Sequence, residues 1–178
     1  MRIFLDACVL FPTATRSLLL SYARAGGFTP LWSARVLEEW RRATLQKRGE
    51  AEAVLAEGDM ALMGAWFPGG LVEGWERLED EITPPDPADA HVIAAARAGE
   101  AEAVLTFNIR DFPQRLLAPV GLSRLHPDEY LRAQWLRDQA RLEASLEPTR
   151  ALAEAKGMPF RAFLKRANLP RLGKAIVD

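Results

Sequence analysis

The sequence predicts an α/β fold, three layers deep (α/β/α) around a central, mostly parallel sheet, with an all-helical C-terminal extension. Three observations predict it. Short apolar runs alternate with stretches of helical periodicity as far as about residue 125, the pattern of successive strand–helix–strand units. Beyond Pro127 only helical periodicity remains. The chain has 178 residues, 49% hydrophobic and 26% charged, the proportions of a globular protein long enough to bury a core. The expected division is an α/β domain over 1–124 and a helical extension over 125–178.

Arg2–Leu5 (RIFL) is a short buried strand. Thr13–Ala25 reads as a helix, with Leu18, Leu19, Tyr22 and Ala23 at helical spacing, Pro12 before it and Gly26-Gly27 after it. Phe28–Trp32 is the next strand, and its Pro30 suits an edge or a strand start. Ser33 is a natural N-cap for a helix to about Arg48, with Val36, Leu37, Trp40, Ala43 and Thr44 on one face. Gly49 ends it, and Glu50–Trp66 is a further helix. Leu71–Gly74 is a short strand, the Pro84-Pro85-Asp86-Pro87 run a loop, and Pro87 opens a helix to about Gly99. Ala103–Phe107 is a strand, Phe112-Pro113 opens a short helix, and 121–123 forms a final edge strand. The extension reads as helices over Asp128–Leu146, Thr149–Lys156, Pro159–Ala167 and Pro170–Ile176.

Composition excludes several classes. Cys8 is the one cysteine, so a disulfide framework and a cysteine-based zinc site are ruled out, and two histidines, His91 and His126, argue against a zinc set. The opening MRIFLDACVL is too short and too acidic for a signal peptide, and no run of about 18 apolar residues occurs. A cytoplasmic, reduced protein with no membrane partner is expected. The net charge of −1 hides an asymmetry: residues 1–122 carry 12 Lys+Arg against 17 Asp+Glu, and residues 123–178 carry 11 against 7. Such a split fits an acidic site beside a basic docking surface, and equally fits solvated helix faces.

The acids fall at informative places. Asp6 directly follows the first strand, Glu38 and Glu39 lie in the helix after Ser33, Asp86 and Asp89 flank the start of the helix after Pro87, and Asn108 and Asp111 follow the strand ending at Phe107. In an open parallel sheet the strand C-termini and the following helix N-termini gather on one edge. Carboxylates gathered there repel one another and raise each other's pKa values, and a hard divalent cation offsets this, with oxygen ligands selecting Mg²⁺ or Mn²⁺. Such a site suits phosphodiester hydrolysis. Each acid also has a plainer reading: Asp6 or Asp111 as a helix cap, Asp89 as compensation of a helix dipole, Glu38 and Glu39 as solvated charges.

In this order and spacing, LDACVLFPTATRSLLL, WSARVLEEW and PPDPADAHVIAAA…AVLTFNIRDFP resemble the PIN-domain ribonucleases, more narrowly the VapC-type toxins with a C-terminal helical extension. The resemblance covers about residues 2–130, and the helical remainder is similar to that subgroup's tail. It implies a PIN-like fold and a metal-dependent endoribonuclease that cuts single-stranded RNA. It further implies control by a cognate antitoxin and a homodimer. Carried over by motif, Asp6, Glu39 and Asp89 match family acids and ligands of the metal. Asn108 stands where many PIN domains have a fourth acid, which makes Asp111, one turn on, the substitute. Thr106, Asn108 and Asp86 are expected around these ligands, and Arg16 matches an arginine of the subgroup.

Arg16 is a candidate phosphate contact or brace for Asp6. Arg41 and Arg42, with Lys47 and Arg48, form a basic stretch that suits RNA contact or dipole compensation. Arg161, Lys165, Arg166, Arg171 and Lys174 offer the same choice among RNA, antitoxin and solvent. His91 sits among apolar neighbours and reads as structural, His126 as a turn residue, and Cys8 as a buried filler. The tryptophans fall on apolar faces and read as core or interface rather than as base-stacking residues. The competing reading is a catalytically weakened PIN-fold module that binds RNA or protein, favoured by Asn108. An aspartyl phosphatase would need an acid two positions after Asp6, where Cys8 stands.

Overall fold

A computed structural model of the chain describes residues 1–177. Ile3, Phe4 and Leu5 are fully buried because β1 (Arg2–Leu5) is the middle strand of the sheet. β2 (Thr29–Ser33) and β4 (Ala103–Leu105) flank it, β3 (Leu71–Val72) pairs with β2, and β5 (Ser123–Leu125) pairs with β4. The order is β3-β2-β1-β4-β5 with every pair parallel. Phe4, for instance, lies between Leu31 and Val104.

Helices follow the strands. α1 (Ala7–Leu10) starts at once after β1, and α2 (Thr13–Arg24) follows it. α3 (Ala34–Arg48) and α4 (Glu50–Trp66) join β2 to β3, while α5 (Glu76–Glu79) and α6 (Ala90–Ala98) join β3 to β4. α7 (Gln114–Leu117) lies between β4 and β5. Because the connections through β2 and β3 run one way from β1 and the return to β4 runs the other, right-handed crossovers set α3 and α6 on opposite faces. This is the three-layer α/β arrangement the periodicity predicts. α6 packs across β1, β2, β3 and β4, and the run Ala90–Ala96 is buried throughout. Ser33 caps α3 as expected, its Oγ accepting from the Val36 N–H at 3.3 Å, and Val36, Trp40 and Thr44 form the buried face. Gly49, at φ 89°, turns the chain between α3 and α4 in a conformation few other residues adopt.

The chain forms two compact units. One comprises Met1–Phe11 and Thr29–Leu125; the other comprises residues 12–28 together with those from 126 onward. The expected cut at 124/125 thus differs in one respect: the segment carrying α2 groups with the C-terminal helices. The second unit holds α2, α8 (Pro127–Arg137), α9 (Gln139–Ser145), α10 (Glu147–Ala155), α11 (Phe160–Arg166) and α12 (Pro170–Val177). Its packing explains the grouping. α2 lies against α9 and α10, Thr15 Oγ1 donates to the Ala167 carbonyl at 3.0 Å, and Tyr22 donates to Gln134 at 3.2 Å. Tyr22, Phe28 and Tyr130 form an aromatic cluster with ring centroids 5.9–6.5 Å apart.

Other departures are local. β2 is an interior strand, so of the two places that suit Pro30, an edge or a strand start, it takes the second. β3 pairs only from Trp32 onward, so the N–H that proline lacks would have met no strand. The helix expected over Asp128–Leu146 breaks at Asp138, whose side chain accepts from the Arg141 N–H and caps α9. The helix expected from Pro87 opens as a single 3₁₀ turn, Pro87–Asp89, capped by Asp86. β5 is shifted to Ser123–Leu125, and α1 and α5 are single turns that periodicity did not mark. No helix among the described residues is long and apolar enough to cross a membrane.

Asp128 in α8 is 2% exposed and accepts from the N–H groups of Arg171 and Leu172 at 3.0 and 2.9 Å, satisfying the first turn of α12. Asp128→Ala leaves both donors without that acceptor. It is expected to destabilise the protein by about 1–3 kcal/mol, read as a lower midpoint in urea unfolding at neutral pH.

Candidate functional site

β1 and β4 end side by side at the place where the strand order reverses, the position at which open α/β sheets hold ligands. The Asp6 N–H donates to the Leu105 carbonyl at 3.2 Å and the Thr106 N–H to the Leu125 carbonyl at 3.0 Å. These bonds bring Asp6 and Thr106 face to face. Asp6 is 5% exposed and Thr106 fully buried. Thr106 Oγ1 donates to Asp6 Oδ2 at 2.7 Å, and Cys8 Sγ donates to the same oxygen at 3.0 Å. The Phe107 N–H donates to Cys8 Sγ at 3.2 Å and the Asn108 N–H to Thr106 Oγ1 at 2.9 Å. Burial and the Asp6 charge push the Cys8 thiol far above its ordinary pKa, so Cys8 stays protonated and serves Asp6 as a donor. Both donors fall on Oδ2, which leaves Oδ1 as the oxygen open to a ligand.

Asp89 ends the 3₁₀ turn ahead of α6, half-buried. Its carboxyl is pushed up to about 6, first by desolvation and then by the charges of Asp6, Asp86 and Asp111, with His91 opposing. Carboxylates from three separate stretches therefore bear on Asp89 at this edge. Asp111 sits in the loop after β4, where its N–H bonds the Asn108 carbonyl at 3.0 Å. Arg124 of β5 pins that loop, donating through Nη1 to the carbonyls of Ile109 at 2.7 Å and Phe112 at 3.1 Å. Asn108 is exposed, and its side chain adds no charge.

The two neighbouring glutamates of α3 part company. Glu38 pairs with Arg41 at 2.8 Å and Arg42 at 2.6 Å, and these hydrogen bonds hold its carboxyl down to about 2. Glu39 reaches His91 Nε2 at 2.8 Å and, at 3.8 Å, Arg35, which also pairs with Glu79. Both of these contacts use Glu39 Oε1. His91 is 1% exposed and packs near Trp75, with ring centroids 5.9 Å apart, and its Nδ1 has no hydrogen-bond partner. With Nδ1 bare, Nε2 carries the proton and donates to Glu39.

The structure thus brings Asp6, Thr106, Asp86, Asp89 and Asp111 to one locality. It gives Glu39 a histidine and an arginine as partners, and it ties Arg41 and Arg42 to Glu38 rather than leaving them free. Arg16 lies on α2 in the second unit, 7% exposed. Cys8 and His91, read from the sequence as filler and structural histidine, are hydrogen-bond partners of two of the acids. Only the two-residue offset of Cys8 from Asp6 hinted at the first pairing, and the unmarked start of α1 at Ala7 hid it; nothing local pointed from His91 to Glu39.

Among the described residues no three His, Cys, Asp or Glu side chains already stand as a metal-binding group. The donors present nonetheless fit a hard divalent ion. Asp6 and Asp89 are oxygen donors under mutual repulsion, Asp6 Oδ1 is open, and an ion such as Mg²⁺ keeps several waters and binds through one or two carboxylates rather than a full protein cage.

An all-parallel sheet with carboxylates at the switch-point end of its strands places the chain among the α/β proteins whose polar groups gather where such sheets hold ligands. A family model described as the PIN domain matches residues 2–110, and the chain belongs to the PIN-domain family. A 46-residue stretch is 44% identical to a protein of Mycobacterium tuberculosis (strain ATCC 25618 / H37Rv) named "Putative ribonuclease VapC50". That stretch covers 26% of this chain and 27% of the other, so the match spans about a quarter of that relative's length. No solved structure matches at a significant level.

Asp89 binds its proton more tightly folded, near pH 6, than unfolded, near the ordinary aspartate value of about 3.9. Its contribution to stability is therefore full below about pH 4 and is lost as pH rises through 6. In melts with EDTA, Asp89→Asn is expected to be more stable than wild type at pH 8, with the difference vanishing toward pH 4. A difference that stays constant over this range contradicts the coupling.

Proposed function

We propose that the protein is a divalent-cation-dependent endoribonuclease that cuts single-stranded RNA. On this reading it is the toxin of a toxin–antitoxin pair, working in the cytoplasm as a homodimer and held inactive by a cognate antitoxin. The observation that carries the catalytic part is the hydrogen bond that sets Asp6, at the end of β1, against Thr106, at the end of β4, together with the effect of Asp6, Asp86 and Asp111 on Asp89. The toxin part rests on the likeness to the VapC-named protein and on the motifs shared with that subgroup.

Asp6 and Asp89 would hold Mg²⁺ or Mn²⁺, with Glu39 as a further ligand. The cation, when bound, would offset phosphate charge and lower the pKa of water near the scissile bond. Thr106 and Cys8 fix Asp6 Oδ2 so that Oδ1 faces the ligand. Glu39 is anchored at Oε1 by His91, which leaves Oε2 either to ligate the cation or, in place of that, to accept a proton from water. Asp111 supplies the fourth charge, on the loop that Arg124 pins, while Asn108 and Asp86 border it. Arg16, Arg41 and Arg42 remain candidates for contacting substrate, the last two on condition that RNA phosphates compete with Glu38 for them.

A specific observation favours a second reading, a weakened module that binds RNA or protein. Asn108 lacks the family charge, and three ligands do not stand gathered in advance. Calorimetry with Mn²⁺ separates the two, since binding that Asp6→Asn removes supports the enzyme. In a cleavage assay on single-stranded RNA with Mg²⁺, Asp6→Asn is expected to lose detectable activity while keeping the wild-type circular dichroism spectrum. Thr106→Val, which removes only the bond to Oδ2, is expected to lower the rate by about 10–100-fold. Wild-type cleavage by Asp6→Asn would overturn the assignment.

A further inference from the structure

The longest run of basic residues uninterrupted by an acid lies in α11, α12 and the turn before them. From 155 to 177 the chain has six basic residues, Lys156, Arg161, Lys165, Arg166, Arg171 and Lys174, and no acid. All six are exposed. Several cations elsewhere are matched: Arg35 with Glu79, Arg97 with Glu81, Arg150 with Glu143. Here only Arg171 has an ion pair among the described residues, with Glu129. Packing gathers the charges further. A Cβ built on Gly173 would lie 3.3 Å from Leu164 Cβ and 3.5 Å from the Arg161 carbonyl, so α12 crosses α11 closely and seats Lys174 one residue past that contact. On α11, Arg161 and Lys165 are one turn apart, about 6 Å along the axis, comparable to the phosphate spacing of an extended strand. The contrast between the units is wide. Residues 12–28 and 126–178 carry 12 Lys+Arg against 7 Asp+Glu, and the remainder carry 11 against 17.

We infer that the exposed face of α11 and α12 is an RNA-backbone docking surface, contacting phosphates through Arg161, Lys165 and Lys174 without reading sequence. The inference rests on the nuclease reading for its choice of RNA. Unpaired like charges on one surface repel one another and add nothing to the fold, whereas a polyanion neutralises them and releases counterions. An acidic catalytic edge repels phosphates, so affinity for the strand must be supplied by a surface of opposite charge. The geometry offers separated point charges rather than a base-reading pocket, which suits phosphate contacts that position a strand.

The test is fluorescence anisotropy of labelled oligouridylate with the full chain in EDTA, across a salt titration, comparing wild type with the triple variant Arg161→Gln, Lys165→Gln, Lys174→Gln. The expected result is affinity at least about 10-fold weaker, with a log–log salt slope shallower by about 2, near 0.7 per lost contact on a single strand. The response of the melting temperature to Mn²⁺ should stay unchanged. A charge-reversed triple, with Glu at the same positions, should weaken binding further, and unchanged melting of both variants without cation verifies folding. Equal affinity and slope in wild type and variants overturns the inference, as does wild-type failure to bind oligouridylate. Binding of polyglutamate in place of RNA overturns it too, reassigning the face to an acidic protein. Salt-dependent RNA binding by a wild type that cleaves nothing with Mg²⁺ sinks the nuclease reading and leaves this face standing. Cleavage by a wild type whose variants bind equally well does the reverse.

Discussion

The hydrogen bond from Thr106 to Asp6, 2.7 Å long between residues 100 positions apart in sequence, is what the acidic edge is built around. A carboxylate 5% exposed is costly unless its oxygens are satisfied, and the neighbouring strands β1 and β4 supply the donors as a direct result of their pairing. Burial, and after it the charge of Asp6, raises the carboxyl of Asp89 at the same edge. Cys8 completes the arrangement from the opposite direction, its own ionisation suppressed by the charge it supports.

The parallel sheet, the longer helices of the first unit and the placing of Asp6, Asp89 and Asp111 toward one edge were legible in the sequence, because period and strand-end position suffice to place them. Ser33 and Asp86 acted as the caps their residue types suggest. What periodicity could not show was pairing between side chains. Glu38 and Glu39 are adjacent and chemically alike, and only the fold reveals that one faces Arg41 and Arg42 while the other faces His91. Cys8 escaped for a related reason. A helix of four residues has too few positions to display a period, so nothing marked the turn that folds its thiol back onto Asp6.

The division of the chain into units was hidden more deeply. α2 has the apolar spacing of any helix that covers a sheet, and its sequence does not say which apolar surface receives it. The answer depends on groups such as Gln134 and the Ala167 carbonyl, more than 100 residues away, which meet Tyr22 and Thr15. Long-range partners of this kind leave no local trace.

That discontinuity bears on how the protein comes into being. During synthesis α2, with Leu18, Leu19 and Tyr22 on a face that is buried in the finished fold, precedes α9 and α10, on which it packs, by more than 100 residues. Until those helices are made, that oily surface lacks the neighbours that receive it, so the second unit can close only after they have left the ribosome.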